Sequence, residues 1–272
     1  MKTTLEASTL HANIREGVRE HYAKVADASS CGCSTTCCTP GGPQRDARDV
    51  SQTLGYSAEQ TGSVPDGANL GLGCGNPHAI AALRPGQTVL DLGSGAGFDT
   101  FLAAQAVGPQ GRAIGVDMTS AMLTKARENA LKAGLDNAEF RLGEIENLPV
   151  SDSSIDVILS NCVINLSPDK KRVFSEAYRV LKPGGRLAIS DVVALEPVPD
   201  SMKSDMSLYA GCASGAAQVG ELQDMLEQAG FSDIRISPKP ESREFIREWF
   251  PGKGLEERFA SATIEAVKPI RE

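Results

Sequence analysis

The chain has 272 residues, 41% of them hydrophobic, which suits one α/β domain of ordinary size with an appended lobe and is too apolar for a disordered or fibrous protein. Its 35 acidic residues outnumber the 27 basic ones, a formal charge of −8, so no basic stripe exists to neutralise phosphates and a nucleic-acid partner is not expected. No apolar run approaches bilayer length, and MKTTLEASTLHANIREGVREHY lacks the apolar stretch of a secretory signal. A cytoplasmic protein with no membrane partner is expected, and its seven cysteines are read as thiols in a reducing compartment.

Taken in chain order, Leu10, Ile14, Val18, Tyr22 and Val25 recur on one face, which predicts an amphipathic helix from Ser8 to Ala26 with Ser8 or Thr9 as its cap. Ser29 to Arg48 is rich in Ser, Thr, Gly and Cys, holds CGCSTTCC and a Pro-Gly-Gly-Pro run, and has too little apolar surface to pack, so it reads as a loop. From Gln87 onward, strands at Thr88–Leu92, Ala113–Asp117, Glu139–Leu142, Ile155–Ser160 and Arg186–Val193 alternate with helices at Phe98–Val107, Ser120–Ala133 and Lys170–Val180. That alternation predicts an α/β, Rossmann-like fold: a mostly parallel twisted sheet with helices on both faces. Gly134 and Pro183-Gly184-Gly185 supply stop and turn signals. An irregular segment through Gly215, a helix at Val219–Ala229, a short helix at Ser242–Trp249 and a last strand at Ala262–Val267 complete the chain. The expected division is an N-terminal helix with a cysteine-rich loop (1–48), a nucleotide-type core (49–193), and a substrate-site segment with a C-terminal lobe completing the sheet (194–272).

The first strand runs into VLDLGSGAGF, where Gly93, Gly95 and Gly97 let the backbone turn tightly and approach a ligand. Asp91 precedes the turn, where an acid repels a pyrophosphate and suits a cationic amino-acid end. Asp117 closes the second strand, where an acid binds a ribose diol. This pattern resembles the class I S-adenosylmethionine-dependent methyltransferases, with a Rossmann-type binder of another nucleotide as the alternative. The resemblance implies that Asp91 and the glycines hold the methionine portion and Asp117, beside Met118, the ribose. GEIENLP places Glu144 and Ile145 against the adenine, Asn161 follows at the end of the fourth strand, and LKPGG is a further hallmark of the group.

Three lone cysteines fall at the edge where such sheets bind ligands. Cys74 lies in NLGLGCGNP before a short helix, Cys162 in SNCVINL after the fourth strand, and Cys212 in YAGCASG after the fifth. Asn76 and Pro77 can open that short helix, whose N-terminus would favour the thiolate of Cys74. Three soft donors without a histidine or carboxylate in their motifs fit a thiophilic acceptor such as As(III), which takes three sulfurs in a pyramid and keeps a lone pair. Each cysteine alone is more often a small buried core residue than a ligand, and it is their convergence on one edge that favours the ligand reading.

GANLGLGCGNP, AIGVDMT, FRLGEIENLP and SNCVINLSPDKKRVFSEAYRVLKPGGRLAISD resemble the arsenite methyltransferases from about Asp49 to the C-terminus, and ESREFIREWFPG resembles their bacterial branch. The resemblance implies ligation of As(III) by Cys74, Cys162 and Cys212 and methyl transfer from S-adenosylmethionine, giving mono-, di- and trimethylated arsenicals. It also implies arsenite or its thiol complexes as substrates; an external thiol reductant such as glutathione or thioredoxin and a monomeric chain are further expectations. Family members carry a further N-terminal cysteine that pairs with the counterpart of Cys74 during turnover; the candidates here are Cys31, Cys33, Cys37 and Cys38. Their spacing is not a standard zinc pattern, so redox or capture roles are expected of them. His11, His21 and His78 read as surface or helix residues, and Leu54–Tyr56 and Trp249 as pocket wall or ordinary packing. Two rival readings stay open: a methyltransferase for another acceptor with structural cysteines, and a non-catalytic protein that sequesters As(III) or soft metals.

Overall fold

The computed structural model describes residues 2–27, 46–203, 205–249, 252 and 254–270. The N-terminal helix α1 spans Lys2–Asp27, a turn and a half longer at its start than the apolar periodicity marks. Short helices follow: α2 (Ala47–Thr53) capped by Asp46, α3 (Ala58–Gly62) opened by a Ser57–Gln60 capping box, and the single turn α4 (His78–Ala81).

The sheet then begins with β1 (Thr88–Leu92), α5 (Phe98–Val107), β2 (Arg112–Asp117), α6 (Ser120–Ala133), β3 (Ala138–Leu142) and β4 (Ile155–Asn161). After α7 (Lys170–Val180) comes β5 (Leu181–Ala194), which starts five residues earlier than expected because Leu181 already pairs with Ile155 before the Pro-Gly-Gly bulge. The segment after β5 is more ordered than its sequence promises. It carries α8 (Asp200–Lys203) and α9 (Met206–Ala210), the latter capped by Asp205. The chain ends with α10 (Val219–Ala229), β6 (Ser232–Lys239), α11 (Arg243–Trp249), α12 (Leu255–Arg258) and β7 (Phe259–Val267).

The strand order is β3-β2-β1-β4-β5-β7-β6, parallel through β5, with β7 antiparallel to both β5 and β6. β6 was not expected from sequence. Only Ile234 and Ile236 mark its alternation, and Pro238 argues against a strand, yet an edge position tolerates a residue without an N–H. α7 and α10 cover one face, burying Phe174, Val180, Leu222 and Leu226 against Ile158, Leu187 and Ile264. Sequence order reverses at β1, so β2 and β4 diverge beside it and open a crevice at the carboxyl edge. A second apolar cluster roofs that edge, drawing together Val18 of α1, Leu208 of α9, Ile246 of α11 and Phe259 of β7. Among the described residues no helix is long and apolar enough to cross a membrane.

Candidate active site

The turn after β1 runs beneath the crevice. A Cβ at Gly93 would meet the Val163 side chain at 2.5 Å, and one at Gly97 the Phe101 ring at 2.6 Å, so neither position admits a side chain without rearrangement. Asp117 fastens the turn by accepting the N–H groups of Gly95 (2.9 Å) and Thr119 (2.8 Å), and burial raises its carboxyl above the usual range. Asp91 is buried at the end of β1 and accepts the Thr100 hydroxyl at 2.7 Å. Burial and then the neighbouring Asp99 push its carboxyl well upward. Asp91, Asp99 and Asp117 all line one cavity, together with the glycine turn. The Ser94 hydroxyl on that turn is buried and has no hydrogen-bond partner among the described residues.

Asp99 belongs to a network that sequence reading missed. Tyr56 donates to its Oδ1 at 2.6 Å, and His78 Nε2 lies 3.3 Å from the same oxygen. Asn161 donates to Tyr56 Oη (3.0 Å) and to the Gly75 carbonyl (2.8 Å), while its own Oδ1 accepts the Cys74 N–H (3.0 Å). One side chain thus joins the backbone at Cys74 and Gly75 to the cavity wall. The available signal was an Asp in the first turn of the helix that follows the glycines. His78, read as a surface or helix residue, opens α4 with a buried ring.

The thiols come from three separate segments. Cys74 Sγ, Cys162 Sγ and a carboxylate oxygen of Asp191 lie within 4.8 Å of one another, all buried. The Cys162 thiol is hydrogen-bonded with those of Cys212 and Cys74, and Cys212 Sγ donates to the Cys162 carbonyl at 2.9 Å. All three are free. Cys162 follows β4 at φ 59° and Cys212 follows α9 at φ 62°, a left-handed backbone that side chains other than glycine rarely adopt. Asp191, at the far end of β5, accepts the N–H of Ile164 (2.9 Å), the Asn165 amide (2.9 Å) and its own neighbour Val192 N–H (2.8 Å). Burial pushes its pKa up to about 6. The Asn165 amide reaches on to the Val192 carbonyl at 2.6 Å, bracing the turn that carries Cys162.

The thiol chemistry corrects one expectation. Asn76 accepts the His78 N–H at 2.9 Å just ahead of α4, but the cap position is Pro77, the helix is a single turn and Cys74 is 1% exposed. Burial dominates and raises the Cys74 pKa, so the thiol rather than the thiolate is favoured. The Cys162 thiol is raised further, first by its hydrogen bonds to Cys212 and Cys74 and then by burial. Cys74 and Cys162 therefore rest as neutral S–H groups.

Of the remaining sequence candidates, Met118, Ile145 and Asn161 line the cavity, as does Trp249 beside the thiols. Glu144 does not. Two arginines of α1 take its carboxylate instead, Arg15 at 3.5 Å and Arg19 at 3.3 Å, an interaction set by where α1 docks rather than by the local motif. Glu146 lines the cavity in its place, accepting Ser167 Oγ at 2.7 Å and pairing with Arg15 at 3.2 Å. Cys31, Cys33, Cys37 and Cys38 lie outside the described residues.

Comparison with known proteins accords with this geometry. Residues 83–230 match a methyltransferase domain family. The arsenite methyltransferase of Halobacterium salinarum is 54% identical over 263 residues, covering 95% of this chain and 67% of the relative. That of Aquipseudomonas alcaligenes is 40% identical over 82% of this chain and 63% of its own length, and the human one 34% over 85% and 61%. This chain thus spans about two thirds of the length of its curated relatives. An X-ray structure of an arsenic(III) S-adenosylmethionine methyltransferase from Chlamydomonas reinhardtii superposes with a TM-score of 0.63 at 35% identity, covering 84% of this chain and 75% of that one. A phosphoethanolamine N-methyltransferase from Haemonchus contortus, 21% identical with a TM-score of 0.59 over 84% of this chain and 61% of its own, shares the fold alone. On these grounds the chain belongs to the arsenite methyltransferase family.

Proposed function

We propose that this protein transfers methyl groups from S-adenosylmethionine to trivalent arsenic held by Cys74, Cys162 and Cys212. The observation that carries the reading is one cavity with two unlike ends: a glycine turn with the carboxylates of Asp91, Asp99 and Asp117, and the buried cysteines Cys162 and Cys212, against which buried Cys74 packs.

The first end fits the cofactor. Asp91 and Asp99 offer anionic partners to a cationic amino-acid end, Asp117 suits a ribose diol, and the orphaned Ser94 hydroxyl gains a partner from a polar ligand. Met118 and Ile145 provide apolar surface for a base. When bound, S-adenosylmethionine supplies an electrophilic sulfonium methyl.

The second end fits arsenite. As(OH)3 reacts with three S–H groups to form three As–S bonds and three waters, each thiol proton leaving with a hydroxyl. No general base is consumed, which accords with thiols whose pKa values are raised. The trithiolate is neutral, as a buried product must be to avoid a large desolvation cost. Its remaining lone pair is the nucleophile. The protein's contribution is positioning and exclusion of water, worth ~7–11 kcal/mol in favourable cases.

The reading extends to successive methylations, reset by an external thiol such as glutathione or thioredoxin, in a monomer working in the cytoplasm. Residues 1–48 would carry a redox or capture cysteine among Cys31, Cys33, Cys37 and Cys38, 49–193 the cofactor core, and 194–272 the third thiol and the roof. The test incubates protein with arsenite, S-adenosylmethionine and glutathione and separates arsenic species by chromatography coupled to elemental mass spectrometry. Methylated arsenicals are expected from wild type, and none from Cys162→Ser or Cys212→Ser, which should still bind cofactor by calorimetry. Full activity in either variant would sink the ligand assignment.

A further inference from the structure

Asp191 has no part in a three-sulfur arsenic site, yet it is the third member of the tightest donor cluster among the described residues. From this placement we infer that Cys74, Cys162 and Asp191 form a binding site for a divalent d10 cation of the Zn2+ type, with a donor set distinct from the three thiols that suit As(III). The assignment needs only the thiols and the carboxylate; its consequence for turnover rests on the function proposed above.

The geometry comes first. A tetrahedral zinc with Zn–S near 2.3 Å and Zn–O near 2.0–2.2 Å sets neighbouring donors roughly 3.5–3.8 Å apart. Here two Sγ atoms and a carboxylate oxygen already lie within 4.8 Å of one another, so closing on a cation asks for about an ångström of side-chain movement. Asp191 is also braced as ligating carboxylates are. The Ile164 N–H holds Oδ2, while the Asn165 amide and the Val192 N–H hold Oδ1, which fixes its orientation and leaves a lone pair free on Oδ2. The fourth position faces the cavity, which Cys162 and Cys212 both line; water or Cys212 Sγ can fill it.

Charge decides which ligand uses which donors. Lys170 lies close enough for its ammonium to be attracted to Asp191 and, less strongly, to Glu221 and to Glu146, which is itself paired with Arg15. With a divalent cation bound, two thiolates and the carboxylate balance the cation and Lys170, leaving the buried cluster neutral. With As(III) bound by three thiols, the trithiolate is neutral by itself and Asp191 balances Lys170. Both ligated states satisfy the interior, but through different atoms. Cation binding displaces two thiol protons to solvent, and As(III) binding displaces none in net terms. Because Cys74 and Cys162 serve both ligands, zinc should inhibit methyl transfer competitively with arsenite while shielding these thiols from oxidation.

The test uses the full chain carrying Cys31→Ser, Cys33→Ser, Cys37→Ser and Cys38→Ser, so that only the three buried thiols remain. Cd2+ alone is titrated and followed by its ultraviolet thiolate charge-transfer band, and As(III) alone by equilibrium dialysis. Asp191→Asn should weaken Cd2+ by about tenfold or more and leave As(III) within about threefold; Cys212→Ser should weaken As(III) more than it weakens Cd2+. Unchanged Cd2+ affinity in Asp191→Asn, or parallel loss of both ligands, overturns the site. Where that variant does not fold, X-ray absorption of the zinc-loaded chain with Asp191 intact gives the answer. A shell of two or three sulfurs with oxygen supports the site, and a shell of sulfur alone or without sulfur overturns it. Cd2+ binding with no As(III) binding would instead overturn the arsenic reading and leave the cation site standing.

Discussion

Cys162 and Cys212 hold left-handed backbone, at φ 59° and 62°, whereas Cys74 does not. That difference can be measured by comparing alanine with glycine at each position, since neither has a sulfur and all other losses cancel. At Cys74, 1% exposed, glycine should be the less stable variant. It loses a buried methyl worth ~0.8 kcal/mol and adds unfolded-state entropy worth ~0.5–1 kcal/mol, together about 1.5 kcal/mol in favour of alanine. The same two terms act at Cys162 and Cys212, 9% and 3% exposed, but there alanine also meets the ~1–2 kcal/mol cost of a left-handed residue with a Cβ. Alanine and glycine should therefore come out nearly equal at those sites. Urea unfolding of the six variants, each measured without arsenic, supplies the comparison. An alanine advantage of the same size at all three positions would refute the claim that two of the three cysteines are held in strained backbone. A smaller advantage at Cys162 and Cys212 alone would mean that the fold spends stability there to aim two sulfurs at the third.

Three further outcomes follow from the network around these residues. Tyr56→Phe removes the 2.6 Å donor to Asp99 and the acceptor used by Asn161, so stability should fall by about 1–3 kcal/mol and cofactor affinity with it; an unchanged urea midpoint would refute the network. Asp191 has a folded pKa raised from 3.8 to about 6, so the stability it contributes is full below pH 3.8 and is lost as pH rises through 6. Relative to Asp191→Asn, wild type should lose up to about 3 kcal/mol between pH 4 and pH 7.5, and a pH-independent difference in unfolding free energy would contradict this. Gly215→Ala puts a Cβ 2.0 Å from the Asn165 carbonyl, behind both cysteine turns. It should cost about 1–3 kcal/mol and weaken arsenic binding, and wild-type dialysis curves would show that this contact is not needed.

Much of the frame was legible because it depends on local rules. Apolar runs with glycine stops marked β1 to β4 and their helices to within a residue or two, and the acid–glycine pattern fell on the turn that lines the cavity. The three cysteines could be placed together because each followed a strand or preceded one at the same edge. What escaped was whatever depends on long-range docking. Glu144 stands in a motif that points it at a base, but α1, more than a hundred residues away in sequence, brings Arg15 and Arg19 to it. β6 escaped because its only apolar residues, Ile234 and Ile236, half-cover an edge. Cys74 misled for a related reason: the helix signal at Asn76 was real, and burial by segments distant in sequence outweighed it.

The two ends of the cavity obey opposite electrostatic rules, and this explains why one fold can bring them together. The cofactor end brings Asp91, Asp99 and Asp117 together at a cost: burial and then the charges of Asp99 and Asp117 raise the pKa of Asp91, and desolvation raises that of Asp117. A cationic ligand relieves that cost, so binding energy there includes the release of mutual repulsion. The thiol end stores no comparable charge among its sulfurs. The thiols of Cys74 and Cys162 stay protonated, and the cluster is hydrogen-bonded within itself and to the Cys162 carbonyl, which leaves no charge on those two sulfurs. Had the helix at Asn76 made Cys74 a thiolate, the buried negative charge would draw in any available cation and As(III) would compete poorly. Neutral thiols exchange with arsenic hydroxides without net charge movement. On this argument a change that ionises a thiol, such as a lysine introduced at Trp249, should shift selectivity from arsenic toward divalent cations. Dialysis with As(III) and Cd2+ in the same cell would read that shift, and an unchanged ratio with the thiol demonstrably ionised would refute the role assigned to neutrality.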